Sequence, residues 1–240
     1  MKAKKMLLED YYSKDNSKII FSRQQASDFA KHIAGDFNPI HDTDAKRFCV
    51  PGDLLFSLVL AKCGLSQKMR FVFSGMVSDG VALNFPDTTS TTLDIVDGSG
   101  KKYLSLERSG DTTQDKDLIR DLTRSYVRFS GQTFPHILVP LTLEQQVMIN
   151  PDRPLVIYES MAIDLDRLDF ENPQLELTRP VLEVDGKRGN VRLEFCLKAG
   201  GETVGRGEKA MVISGLRAYD EDKVQAMVDN YTNQKRHLAS

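Results

Sequence analysis

The sequence predicts an α+β chain built from two similar halves. Segments with helical spacing of apolar residues are each followed by a series of short β-rich runs, and this order begins a second time near Asp115. Short matches also recur in the same order in both parts. Ala34-Gly35-Asp36-Phe37-Asn38-Pro39 corresponds to Ser130-Gly131-Gln132-Thr133-Phe134-Pro135, and Val96-Asp97-Gly98 before Leu104-Ser105-Leu106-Glu107 corresponds to Val184-Asp185-Gly186 before Val191-Arg192-Leu193-Glu194. Each match is short, but shared order, element type and spacing together point to duplication.

Residues 1–18 are polar and charged and read as a loose or edge-wrapping arm. Ile19-Ile20-Phe21 is strand-like. Ser22 and Gln25 then have the spacing of a capping box, and Ala26, Phe29, Ala30 and Ile33 recur at helical intervals. Gly35 ends that helix, and Asn38-Pro39 opposes an immediate restart because the residue before proline favours extended geometry. A second helix opens at Pro51-Gly52-Asp53 and runs to about Cys63. It is apolar nearly all round, which predicts complete burial. Runs at Met69–Phe73, Gly80–Phe85, Thr91–Val96 and Tyr103–Glu107 read as strands.

In the second half, Ile119, Leu122, Tyr126 and Phe129 share a helical face. A short segment from Pro140 to Ile149 precedes strand-like runs at Leu155–Leu165, Leu175–Val184, Val191–Lys198 and Glu202–Leu216. Val224, Met227, Val228 and Tyr231 predict a closing amphipathic helix within Asp220–Tyr231. The expected division is an arm at 1–18, a first unit at 19–112, a second at 113–218, and a terminal helix and tail at 219–240.

The chain has 240 residues, enough to bury a core without disulfides or metals as staples. Its 32 Lys and Arg against 34 Asp and Glu are interspersed, with no basic stripe for a nucleic acid. Cys49, Cys63 and Cys196 are odd in number and lack metal-ligand spacing. No metal or cofactor is expected. The basic start lacks the apolar run of a signal peptide, and Leu54–Ala61 is too short to span a bilayer. A cytoplasmic protein, without nucleic-acid or membrane partners, is the expectation.

Gly35-Asp36-Phe37-Asn38-Pro39-Ile40-His41 holds a carboxylate and an imidazole on a proline-stiffened loop after a helix. Such a pair can hold one water, one group taking a proton while the other gives one. The run resembles the Gly-Asp-x-Asn-Pro-x-His signature of MaoC-like, or (R)-specific enoyl-CoA hydratase, proteins. Its Asp-Phe-Asn-Pro-Ile-His-Asp core also resembles a proteobacterial branch of uncharacterised proteins. The resemblance covers mainly residues 19–85.

The resemblance implies a hot-dog fold, in which an antiparallel sheet wraps a central helix. With the duplication, it implies a double hot-dog, as a monomer or a homodimer. It also implies hydration of 2-enoyl thioesters, or dehydration of 3-hydroxyacyl thioesters, carried on CoA or acyl carrier protein. Asp36 and His41 would be catalytic, Asn38 would orient the loop, and the Gly52 and Asp53 backbone N–H groups would polarise the thioester carbonyl at a helix amino end.

The sequence departs from that pattern at Pro51-Gly52, where the family has His-Gly, and at Asp53, which brings a negative charge to the carbonyl site. The stretch from His41 to Gly52 is also short for the family. In the second half Gln132 stands where Asp36 would, and His136 is displaced from the position of His41. A non-catalytic acyl-thioester-binding protein with a degenerate site is the alternative, and a thioesterase is a third reading. His32 and His136 read as surface residues, and Cys49 and Cys63 as core fillers. Lys101, Lys102 and Arg108 either meet CoA phosphates or, more ordinarily, stay solvated.

Overall fold

A computed structural model describes residues 8–86 and 90–239. The first seven residues of the expected arm lie outside that range. The rest of the arm belongs to the sheet edge. A 3-10 turn at Leu8–Tyr11 leads into β1 (Ser13–Asp15), which pairs antiparallel with β2 (Lys18–Ile20).

The capping box forms at Ser22 and Gln25 and starts α1 (Arg23–Asp28). The helix continues through a π-helical stretch, Phe29–Ala34, and ends at Gly35, whose φ of 69° lies in the left-handed region that favours glycine. The wide turn lets Ala30 O accept from Asp36 N at 2.8 Å, so Asp36 is held to the helix end. Helix α2 (Gly52–Cys63) follows, with its apolar side chains from Leu54 to Leu60 all buried. Its last carbonyl, that of Cys63, accepts from Arg108 Nη1 at 2.6 Å and from Gln114 Nε2 at 3.3 Å. Arg108 also donates to Ser90 O and is buried, so it is not a solvated residue. It places a cation at a helix carboxyl end, where orphan carbonyls and the dipole favour one.

The first half then forms β3 (Leu65–Phe73), β4 (Leu83–Asn84), β5 (Thr92–Asp97) and β6 (Lys102–Thr113). Of the expected strand Gly80–Phe85 only Leu83–Asn84 pairs. Gly80, at φ 74°, turns the chain, and its N–H bonds Phe21 O instead of a ladder.

Asp115 caps α3 (Lys116–Gly131). A short turn α4 (Thr133–His136), then α5 (Leu138–Glu144) and β7 (Val147–Met148), lead to β8 (Val156–Leu165), β9 (Gln174–Asp185), β10 (Arg188–Ala199) and β11 (Glu202–Ser214). Strand β12 (Arg217–Ala218) pairs with β7, and α6 (Glu221–Ala239) ends the described chain, eight residues past the expected end at Tyr231.

Among the described residues, ten strands make one antiparallel sheet in the order β1-β2-β4-β5-β6-β3-β8-β11-β10-β9. Strands β3 and β8 meet at its middle, with Phe71 opposite Met161. Outward from them, β6, β5 and β4 on one side mirror β11, β10 and β9 on the other. In each half, the first long strand after the helical segment lies innermost and pairs with the last long strand of that half. The architecture is an α+β double hot-dog.

The main core lies between the sheet and α2 and α3. Phe56 of α2 meets Phe71 of β3 and Tyr126 of α3, with ring centroids 5.1 and 4.7 Å away. A smaller core under α5 gathers Leu138, Leu141, Leu182, Leu193 and Ile213. The carboxyl end of α3 also meets the end of the π-helical stretch so closely that a Cβ on Gly131 would lie 2.2 Å from Ala34 O. Backbone there cannot move aside cheaply. Gly131→Ala is therefore expected to destabilise the protein by about 1–3 kcal/mol, the usual range for overpacking, read as a lower urea midpoint.

Candidate functional site

The turn after Gly35 is built by its own side chains. Asp36 Oδ1 accepts from Asn38 N–H at 2.9 Å, and Asn38 Oδ1 accepts from Ile40 N–H at 3.3 Å. Asn38 thus caps a 3-10 turn at Pro39–His41, with proline at the position where a missing N–H is harmless. Asn38 Nδ2 also donates to Val156 O of β8 at 3.4 Å, tying the loop to the second half.

That turn brings His41 beside Asp36. His41 Nε2 and Asp36 Oδ2 lie 3.6 Å apart. On the other side of the ring, His41 Nδ1 lies 2.7 Å from Cys49 O. A carbonyl only accepts, so Nδ1 carries a proton, and in the neutral form of the ring the Nε2 lone pair faces Asp36. His41 is buried, whereas the Asp36 side chain is 27% exposed. The 3.6 Å gap suits a water that donates one proton to each group.

Both groups line a cavity of about 410 Å³. Gly52 and Asp53, at the amino end of α2, line it too. Gly52 has no room for a side chain, since a Cβ would lie 2.8 Å from Tyr158 Cδ1 and 3.1 Å from Phe73 Cε1. Pro51 supplies no side-chain cap. The first N–H groups of the helix have no acceptor within it. The structure thus brings all five residues singled out from the sequence, Asp36, Asn38, His41, Gly52 and Asp53, to one cavity.

Sequence reasoning missed the residues that the second half contributes. Ser130 and Lys209 line the cavity beside Asp53, and Ser130 Oγ donates to Asp53 Oδ2 at 2.6 Å. Burial pushes the Asp53 carboxyl up, against the opposing pull of Lys209 and Ser130, and burial pushes the Lys209 amine down. Tyr126 and Tyr158 share a hydroxyl–hydroxyl hydrogen bond, and burial drives both phenols well above their ordinary range. One signal for Lys209 was present: on a two-residue period it falls on the same strand face as Met211 and Ile213.

The apolar lining comes from both halves, with Leu55, Phe73 and Val77 from the first and Phe134, Leu138 and Met211 from the second, together with Met227 of α6. Tyr231 of α6 donates to Gly35 O at 3.2 Å and stacks edge-on with Phe37 and Phe134, so α6 braces the loop of Asp36 and His41. His136 is exposed and is not among the cavity residues. Among the described residues no group of three His, Cys, Asp or Glu is placed to hold a metal, and no helix is long and apolar enough to cross a membrane.

Cys49 is more than a core filler, because its carbonyl orients His41 while its side chain lines the cavity. Burial pushes its thiol up to about 12. The thiolate is the reactive form, so Cys49 is expected to resist iodoacetamide in the folded protein at neutral pH and to be alkylated after unfolding. Peptide mass mapping reads this directly.

Comparison with solved structures finds similar folds, among them the following three. A MaoC-like dehydratase is 10% identical, with 87% of this chain and 99% of that chain covered and a TM-score of 0.43. A hot-dog protein of unknown function from Alicyclobacillus acidocaldarius is 9% identical, with 89% and 98% covered and a TM-score of 0.44. An acyl-CoA thioesterase II, TesB2, from Mycobacterium marinum is 10% identical, with 89% and 99% covered and a TM-score of 0.39. A search of curated proteins found no match. A family model matches residues 6–222, and the chain belongs to that family, described as Protein of unknown function (DUF3581).

Proposed function

We propose that the cavity is the active site of a MaoC-like hydratase or dehydratase acting on 2-enoyl and 3-hydroxyacyl thioesters of CoA or acyl carrier protein. The observation that carries this reading is the Asp36–His41 pair, 3.6 Å apart, with the imidazole held by Cys49 O so that its basic nitrogen faces the carboxylate. The apolar wall suits an acyl chain, and the amino end of α2 suits a carbonyl oxygen that gains charge.

The steps follow from those positions. A water between Asp36 and His41 gives a proton to His41 Nε2 as its oxygen bonds to C3 of the enoyl group. The C2=C3 π electrons move toward the carbonyl, and the Gly52 and Asp53 N–H groups receive the enolate oxygen. The imidazolium then returns the proton to C2 as the enolate collapses. One base on one face takes and returns the proton, so the addition is syn. Asp36 holds the water and stabilises the imidazolium. The reverse sequence is dehydration.

In this reading residues 19–112 form the first hot-dog unit, which carries the acid–base pair. Residues 113–218 form a second unit that supplies part of the acyl-binding wall. A reducing, cytoplasmic setting fits the free thiols of Cys49, Cys63 and Cys196.

The test is a spectrophotometric assay with crotonyl-CoA and a longer trans-2-enoyl-CoA. Wild type is expected to consume the enoyl absorbance. Asp36→Asn and His41→Ala are each expected to lower kcat/KM by about 10²–10⁴-fold, the usual share of a positioned acid–base group, with circular dichroism unchanged. Full activity in either variant sinks the assignment. Ligand-induced thermal stabilisation without turnover in wild type would instead indicate a binding protein, and release of free thiol would indicate hydrolysis of the thioester.

A further inference from the structure

Asp53 poses a problem that the proposed reaction alone does not solve. It is the second residue of α2, and its carboxylate belongs to the same helix end whose N–H groups would face an enolate oxygen. A negative charge there opposes the charge that must develop. Asp53 is 5% exposed, so water does little to screen it, and its Oδ1 has no hydrogen-bond partner among the described residues.

The compensating charge comes from the other half of the chain. Lys209 of β11, also 5% exposed, donates from Nζ to Ser130 Oγ at 2.5 Å, and Ser130 Oγ donates to Asp53 Oδ2 at 2.6 Å. The hydroxyl has one proton, and it goes to the carboxylate, so the chain runs in one direction from ammonium through hydroxyl to carboxylate. Lys209 Nζ also lies 4.4 Å from the centroid of the Tyr158 ring, whose edge packs against Gly52. All these groups line the cavity except Tyr126, which reaches it through Tyr158.

We propose that Lys209 is a positioning residue that neutralises Asp53 through the Ser130 hydroxyl, so that the amino end of α2 can receive an oxyanion without a net negative charge beside it. The three groups have zero net charge whether or not a proton passes along the chain, so the helix end keeps its positive partial charge for the ligand. The inference rests on the reading of α2 as the oxyanion end, and it extends that end to two residues of the second half.

The experiment is a titration with acetoacetyl-CoA, whose enolate has its own ultraviolet band, so it needs no turnover. Wild type is expected to bind it and develop the band. Lys209→Met leaves Asp53 uncompensated and is expected to weaken enolate binding by about tenfold or more, as juxtaposed like charges do. Asp53→Asn is expected to bind at least as well as wild type, and Asp53→Asn/Lys209→Met to recover to near the wild-type level. A merely structural network would instead make both single variants worse and the double variant worse still.

Each variant is checked by circular dichroism and thermal unfolding. Should Lys209→Met fail to fold, Ser130→Ala keeps both charges and removes the bridge, and a loss of enolate binding is expected there too. Equal losses in Asp53→Asn and Lys209→Met, or a full band in Lys209→Met, overturn this proposal while leaving the hydratase reading in place. No enolate band in any of the proteins overturns the assignment of α2 as the oxyanion end, and this proposal with it. Enolate binding with the expected pattern but no hydration of crotonyl-CoA upholds the charge pairing and removes only the hydratase reading.

Discussion

The burial of α2 from Asp53 to Leu60 is the constraint from which the rest of the molecule follows. A helix whose body is buried from its second residue on offers few of its polar groups to water, so the protein must meet them. At the carboxyl end, Arg108 and Gln114 take the Cys63 carbonyl. At the amino end, the chain offers Pro51 and no cap, and a cavity opens there instead. The six large apolar side chains from Leu54 to Leu60 are each worth about 1.5–3 kcal/mol of burial, which is what allows an uncapped end and a buried carboxylate to be tolerated.

The two halves share one sheet but divide the cavity unevenly. The first supplies the loop of Asp36 and His41 and the amino end of α2. The second supplies Ser130, Lys209 and Tyr158, and both share the apolar lining. The β3–β8 ladder fixes the relation between these sets, because Met161 opposite Phe71 places the second half's strands against the first half's helix. The contact of Lys209 on β11 with Asp53 on α2, through Ser130 on α3, makes one cavity depend on both halves.

Much of this was legible in the sequence because it was local or periodic. The capping box at Ser22 and Gln25, the stop at Gly35, the burial of α2 and the loop from Asp36 to His41 all depend on neighbours within a few residues. Their side chains bond to backbone two or three positions away, and spacing alone records that. Lys209 and Ser130 could not be read this way, since their partner lies more than 70 residues distant and only the tertiary fold brings it near. Arg108 was misread for the same reason: nothing near it in sequence announces a helix end that returns from 45 residues earlier. The brief β4 fell short of its apolar run because Gly80 spends its N–H on Phe21.

The bond from Tyr231 to Gly35 O joins residues 196 apart, and it reaches the loop that holds Asp36. The turn bonds of that loop are local, whereas this support comes from a helix far along the sequence. Contacts of such sequence separation are slow to form, because the intervening chain must first lose its freedom. The loop thus takes its shape from local bonds and its bracing from one of the most distant contacts in the chain.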